Sequence, residues 1–196
     1  MGLGKVMTSR YGKDWDKYFL RIAKEVGSNS KCLSRYIGTV LVKDKSIVST
    51  GYNGPPRGIP PCDSRVWTYV DPDGGPDTIR IDGVNCGEIV HRTGKVCPRY
   101  LIGADSGQRL DLCIAGHSER NALIQAAREG ISTKGTELYC YCGPPCKDCV
   151  IEIINAGVET IVCLDGRYYD DLSRYLIKQS GINLIQYKED RLGDVS

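Results

Sequence analysis

The second half of the chain alternates between helical and extended patterns, and that alternation limits what it can fold into more than any other feature. Ser118 to Glu129 has helical spacing, with Ala122, Leu123, Ala126 and Ala127 turned inward and Gly130 as the stop. Glu137 to Tyr141 reads as a strand, Cys146 to Ala156 as a helix ended by Gly157, and Thr160 to Leu164 as a strand. Asp170 to Gln179 is a further helix and Asn183 to Tyr187 a last strand. Strands separated by helices join through parallel crossovers, which place helices against the sheet. Upstream, Asp14 is predicted to cap a helix running to about Val26, with Trp15, Tyr18, Phe19, Ile22 and Val26 on one face. Ile37 to Val42 and Ile47 to Tyr52 form a predicted hairpin about the polar turn Lys43-Asp44-Lys45-Ser46. The order α-β-β-α-β-α-β-α-β predicts an α/β fold: a mixed five-stranded sheet with helices on both faces.

At 196 residues the chain is expected to be one domain, 1–196. The Gly- and Pro-rich run 53–61 must be loop. Residues 62–113, rich in Asp, Gly and Pro and nearly without periodicity, read as a loop-rich insertion without a core of its own. Lys and Arg total 26 against 24 Asp and Glu, a balance unlike that of a protein that coats nucleic acid. The apolar runs, such as Ile161 to Leu164, are strand-sized, far short of the ~20 residues that span a bilayer. Met1 to Asp16 lacks the apolar segment of a signal peptide. Gly2 is followed by Val6 where N-myristoylation wants Ser or Thr. The tail from Lys188 to Ser196 is expected to be loose.

Ten cysteines in a chain of this size, without a signal peptide, point to metal or catalytic roles before disulfides. His117-Ser118-Glu119 and Pro145-Cys146-Lys147-Asp148-Cys149 each open a predicted helix. His117, Cys146 and Cys149 supply three ligands of a borderline-soft set, suited to tetrahedral Zn²⁺ with a fourth position for water. A helix N-terminus favours the thiolate form of cysteine. Glu119, two residues after His117, can face a water held by the metal without ligating the metal, as a proton carrier needs. A redox-active Cys-x-x-Cys would leave the His-x-Glu half idle. A closed structural zinc would want a fourth protein ligand.

Both halves together match the zinc nucleobase-deaminase signature, His-x-Glu followed by Pro-Cys-x-x-Cys. On these residues the chain resembles the cytidine-deaminase-like superfamily, whose three-layer fold is the one expected here, and within it the deoxycytidylate (dCMP) deaminases. The narrower resemblance rests on Gly51-Tyr52-Asn53-Gly54-Pro55-Pro56-Arg57-Gly58, on Ser34-Arg35-Tyr36-Ile37-Gly38 and on His117 to Ala122. His-Ser-Glu stands here where the family more often has His-Ala-Glu.

The resemblance implies a zinc-dependent hydrolase that converts dCMP to dUMP and ammonia, supplying dUMP for thymidylate synthesis. It implies a homohexamer activated by dCTP and inhibited by dTTP, with Mg²⁺ on the effector phosphates. It implies work in the cytoplasm, or in that of an infected host if the chain is viral, with neither nucleic acid nor membrane as partner. Glu119 is the implied proton carrier. Asn53, Arg35, Ser118 and Tyr168 are implied substrate contacts, with Tyr169 the rival of Tyr168 for stacking on cytosine. Gly51, Tyr52, Asn53, Gly54, Arg57 and Gly58 form the implied nucleotide-effector loop. Arg35 and Arg57 are candidates for phosphate, where a guanidinium binds two oxygens at once. Cys32, Cys62, Cys97 and Cys113 are candidates for a second, structural Zn²⁺, with Cys86 and His91 as substitutes, because related deaminases carry such a site. Other cytosine substrates (dCTP, cytidine), a tRNA adenosine deaminase and a non-catalytic zinc-stabilised module are the competing readings. A tRNA enzyme would want a stronger basic face, and a structural module would have no use for Glu119.

Overall fold

In the computed structural model, residues 8–64, 67–70, 78–81, 90–94, 97–101, 103–105 and 107–192 are described. The elements in chain order are α1 (Lys13–Gly27), β1 (Gly38–Lys43), β2 (Ser46–Tyr52), β3 (Trp67–Val70), β4 (Thr78–Ile81), β5 (Val90–Gly94) and α2 (Pro98–Leu101). Then come α3 (Ser118–Arg128), β6 (Glu137–Cys140), α4 (Lys147–Asn155), β7 (Thr160–Leu164), α5 (Asp171–Ser180) and β8 (Asn183–Tyr187). Short 3-10 turns lie at Leu110–Leu112 and Glu189–Arg191. The Cα trace divides into two compact units, one of residues 1–30, 36–53 and 117–196, the other of 31–35 and 54–116.

The larger unit holds the expected mixed five-stranded sheet, ordered β2-β1-β6-β7-β8. β1 is antiparallel to both β2 and β6, while β6, β7 and β8 run parallel. Alternate residues of each strand face opposite layers. Leu41, Leu138, Cys140, Ile161 and Cys163 pack with Ala122, Leu123 and Ala126 of α3 and Cys149 and Ile153 of α4. Val40, Val42, Tyr139, Val162, Ile185 and Tyr187 pack with Phe19, Leu20 and Ala23 of α1. The result is three layers, as predicted.

Several details differ from the sequence reading. α1 starts at Lys13 with Gly12 at the cap, and Asp14 makes no cap. Asp16, one turn in, is wholly buried instead. The buried face of α1 is Phe19, Leu20 and Ala23, and Tyr18 is 45% exposed. The rotation follows from Asp16, which accepts hydrogen bonds from Ser9 N (3.0 Å) and Tyr187 Oη (2.8 Å) and so turns its own side of the helix inward. The hairpin turn is tighter than predicted: Asp44 and Lys45 alone form it, at φ 50° and 60°, the backbone of a two-residue turn that matches strand twist. Ala127 is exposed on α3. Asp170 caps α5 rather than opening it, its Oδ1 accepting from Ser173 N at 2.6 Å.

In the smaller unit, the segment read as loop carries a three-stranded antiparallel sheet ordered β4-β3-β5. Strands of four or five residues are too short to leave a periodic signal. Arg99 Nε donates to Gln108 O at 2.6 Å, and Ser34 Oγ lies 2.7 Å from Tyr100 Oη. No helix among the described residues is long and apolar enough to cross a membrane.

Candidate metal and catalytic centre

Two helix starts create the site. His117 is the N-cap of α3 and Cys146 the N-cap of α4, both in extended backbone. His117 Nδ1 lies 3.4 Å from Cys146 Sγ and 3.3 Å from Cys149 Sγ. All three ligand atoms fall within 4.8 Å of one another. Zn–N near 2.0–2.1 Å and Zn–S near 2.3 Å in a tetrahedron put nitrogen and sulfur about 3.5 Å apart. The trio therefore fits zinc in donor type and in spacing, and an imidazole with two thiols leaves the fourth corner for a small ligand.

The electrostatics suit a cation. Hydrogen bonds from Cys149 and His117 hold the Cys146 thiol down at about 4. Cys149 is pushed up by the same bond to Cys146 and by burial. His117 is raised by its bond to Cys146. The trio thus favours a Cys146 thiolate paired with the His117 imidazole, and a bound metal would take the place of the proton they share.

Glu119 is 4% exposed. Burial raises its carboxyl above the usual range, against the opposing pull of its own backbone N–H, His117 and Ser118. Ser118 Oγ donates to Glu119 Oε2 at 3.0 Å, and Thr39 Oγ1 of β1 lies 2.8 Å from Ser118 Oγ. The carboxyl is thereby aimed from behind by the Ser118 hydroxyl, which itself lies against Thr39 of the sheet.

The neighbouring backbone explains why these starts stay fixed. Gly51 is buried in β2, where an added Cβ would stand 2.3 Å from Ser118 O and Ala122 N. α3 therefore lies directly on the strand. Arg120 binds both oxygens of Glu152, at 3.0 Å and 2.8 Å, tying α3 to α4. Asp170 Oδ2 accepts from Lys147 N at 2.9 Å, holding the first turn of α4 beside Cys146.

The other expected contacts fall in several places. Asn53 is buried, and its Oδ1 accepts from Ile37 N at 2.9 Å. Its backbone also pairs with Ile37 O and accepts from Ser30 Oγ. The acceptor half of the amide is thus used to shape the loop. Tyr52 is exposed. Tyr168 is half-buried with the Arg174 guanidinium 5.8 Å above its ring, while Tyr169 is exposed. Arg35, Gly54, Arg57 and Gly58 belong to the smaller unit, where Gly54 is buried and the other three are exposed.

Cys32, Cys62, Cys97 and Cys113 all belong to that smaller unit too. Cys62 and Cys97 are buried and the other two half-buried. Burial raises the Cys113 thiol, and the neighbouring Cys32 and Cys97 sulfurs push the same way. Among the described residues the four do not form a set with donor atoms all within 4.8 Å of one another. Cys86 and the side chain of His91 lie outside the described residues.

The sequence reading missed Cys140 and Cys142, whose sulfurs lie beside Glu119, and Thr39, which meets Ser118 and Cys140. The spacing of Cys140-Tyr141-Cys142, which puts two thiols on one side of an extended chain, was the available signal.

A mixed sheet that lays two helix starts side by side, one bringing His-x-Glu and the other Cys-x-x-Cys, defines the cytidine-deaminase-like class. Residues 13–165 match the family described as the cytidine and deoxycytidylate deaminase zinc-binding region. The chain belongs to that family. It is 30% identical over 180 residues to a deoxycytidylate deaminase of Schizosaccharomyces pombe, covering 91% of this chain and 46% of the relative. A second, from Saccharomyces cerevisiae, is 29% identical over 184 residues, 93% of this chain and 48% of the relative. The chain thus spans about half the length of these two proteins. A deoxycytidylate deaminase of Mycobacterium phage D29 is 32% identical over 154 residues, 76% of this chain and 93% of that one. The fold is that of the dCMP deaminase of cyanophage S-TIM5, solved with dCMP and dUMP: TM-score 0.61, 21% identity, 90% of this chain and 98% of that one.

Proposed function

We propose that this chain catalyses the hydrolytic deamination of dCMP to dUMP and ammonia at the centre formed by His117, Glu119, Cys146 and Cys149. The observation that carries the reading is the buried Glu119 carboxyl beside a His-Cys-Cys trio already spaced for zinc. Relatives named deoxycytidylate deaminases supply the substrate.

Zinc, when held by the trio, supplies the Lewis acidity that lets water ionise near neutral pH. The remaining chemistry belongs to the chain. Glu119 takes a proton from the attacking water and passes it to N3 of cytosine, and then carries the proton of the new C4 hydroxyl to the amine that leaves as ammonia. A carboxyl whose pKa burial has raised is suited to carrying protons in both directions. Ser118, bonded to Glu119 Oε2, keeps the carrying oxygens aimed. Asn53 contacts the sugar or the base. Tyr168 stacks on the base, and Arg35 reads phosphate.

The finer reading follows the family. The segment from Gly51 to Gly58, Arg57 above all, takes dCTP as activator and dTTP as inhibitor, each with Mg²⁺, in a homohexamer. The chain acts as one domain, 1–196, with its insertion holding a structural zinc once the sulfurs of Cys32, Cys62, Cys97 and Cys113 close in. Its work lies in the cytoplasm of the cell or of an infected host.

Ultraviolet-monitored deamination of dCMP, deoxycytidine and dCTP by zinc-replete protein, with and without dCTP or dTTP, tests this. Turnover of dCMP without turnover of deoxycytidine supports the reading. Failure with all three overturns it. An Arg35→Ala variant that loses dCMP and deoxycytidine activity equally removes Arg35 from phosphate reading.

A further inference from the structure

The deamination chemistry leaves a buried dithiol unused. Cys140 ends β6, and the chain stays pinned beyond it: Tyr141 N donates to Gly38 O at 3.0 Å, and Leu164 N to Cys142 O at 2.8 Å. Residues two apart in such a run share a face, so Cys140 Sγ and Cys142 Sγ lie 3.1 Å apart. Cys140 is wholly buried, and Cys142 is half-buried. Thr39 Oγ1 donates to Cys140 Sγ at 3.1 Å, and Ser118 Oγ lies 3.7 Å from it. The third side of the cluster is Glu119, whose carboxylate oxygen lies within 4.8 Å of both sulfurs.

We propose that Cys140, Cys142 and Glu119 form a second site for a soft divalent cation, and that filling it shuts the enzyme off. Two sulfurs and one carboxylate oxygen make a donor set suited to Zn²⁺ or Cd²⁺ and ill suited to Mg²⁺ or Ca²⁺. A tetrahedral ion at about 2.3 Å from each sulfur spaces them about 3.7 Å apart, so the pair opens by about 0.6 Å on binding. The half-buried Cys142 is the point of entry. As the two metal–sulfur bonds form, both thiol protons leave to solvent. The hydroxyl of Thr39 stands behind the Cys140 sulfur as its hydrogen-bond donor, an outer-shell contact of the kind that orients metal ligands.

The inhibitory half rests on the proposed function. A carboxylate that ligates this second ion no longer carries protons, although His117, Cys146 and Cys149 keep their own metal. The binding half is independent of that reading, because it is read as metal uptake.

The test uses zinc itself. Wild-type protein and the variants Cys142→Ser and Cys142→Ala are first brought to their tight-binding zinc content. Each is then equilibrated by dialysis at micromolar free zinc, and bound zinc per chain is counted alongside dCMP turnover. Wild type is expected to take up one more zinc per chain than either variant and to lose about a hundredfold in rate at saturation. The variants, unchanged at low zinc, should resist that loss. Two variants are used so that a folding defect in one does not decide the matter. Equal zinc uptake by all three proteins overturns the site. Extra uptake confined to wild type without loss of rate overturns the inhibition alone. If wild type deaminates nothing at low zinc, the proposed function fails and the difference in uptake still decides the site.

Discussion

Ser118 O and Ala122 N occupy the space that a side chain on Gly51 would need, 2.3 Å from where its Cβ would lie. The first turn of α3, which carries His117 and Glu119, is thus seated by the absence of a methyl group in β2. Gly51→Ala pushes backbone against backbone, which cannot rotate away. It should cost about 1–3 kcal/mol of stability, as overpacked cores do, and shift His117 off its sulfur partners. Denaturant unfolding and zinc content after dialysis check this. Wild-type stability with full zinc would mean that α3 is not held by that contact.

Glu119→Gln keeps the shape of the site and the bond from Ser118 but removes the proposed proton carrier. Tightly bound zinc should stay at the wild-type level, because Glu119 is outside the His117–Cys146–Cys149 trio. Turnover of dCMP should fall by at least about 10²–10⁴. Metal analysis beside initial rates checks both. Normal turnover in this variant would remove Glu119 from the chemistry.

How much of this was legible in the sequence depended on the range of the interaction concerned. The strands at Thr160–Leu164 and Asn183–Tyr187 were read to the residue, because buried parallel strands are written as short apolar runs. The trio of His117, Cys146 and Cys149 was legible because each half of the motif is local and sits at a helix start. What the sequence hid was long-range. Nothing local marks Asp16 for burial, since its partner Tyr187, which donates to it, is 171 positions away. Asn53 looked like a turn residue or a ligand contact, and its bond to Ile37 was invisible. Gly51 read as part of an effector loop, whereas its closest constraint is the helix packed upon it.

The same buried network predicts behaviour at high pH. Tyr139 Oη donates to Glu137 Oε2 at 2.7 Å, with Asp16 Oδ1 at 3.1 Å, and Tyr187 Oη donates to Asp16 Oδ2 at 2.8 Å. Burial, and then the bond to a carboxylate, raises both tyrosines above their ordinary value. A raised folded-state pKa means that only the unfolded chain releases the proton near pH 10. Stability is therefore fully present below about pH 10 and declines above it, by up to about 1.4 kcal/mol per pH unit for each tyrosine. Tyr187→Phe should be less stable at neutral pH yet show a shallower alkaline decline, by about one proton. Denaturant midpoints across the alkaline range check this. An unchanged slope would mean that Tyr187 titrates alike in both states.

Asp170 joins two helix starts through one carboxylate, with Oδ1 on Ser173 N and Oδ2 on Lys147 N. The first bond caps α5, and an N-cap lost to alanine costs about 0.5–2 kcal/mol. The second reaches the turn that follows Cys146, so Asp170→Ala should also loosen the approach of Cys146 to His117. Faster zinc loss to a chelator is expected, together with the stability loss. Asp170→Asn keeps an oxygen acceptor for only one of the two N–H groups. It should recover most of the stability if that oxygen serves α5, while zinc release stays fast because Lys147 N has lost its acceptor. Stability and zinc release that recover together would mean that the two bonds act as one, and release unchanged in Asp170→Ala would mean that Cys146 is held without Asp170.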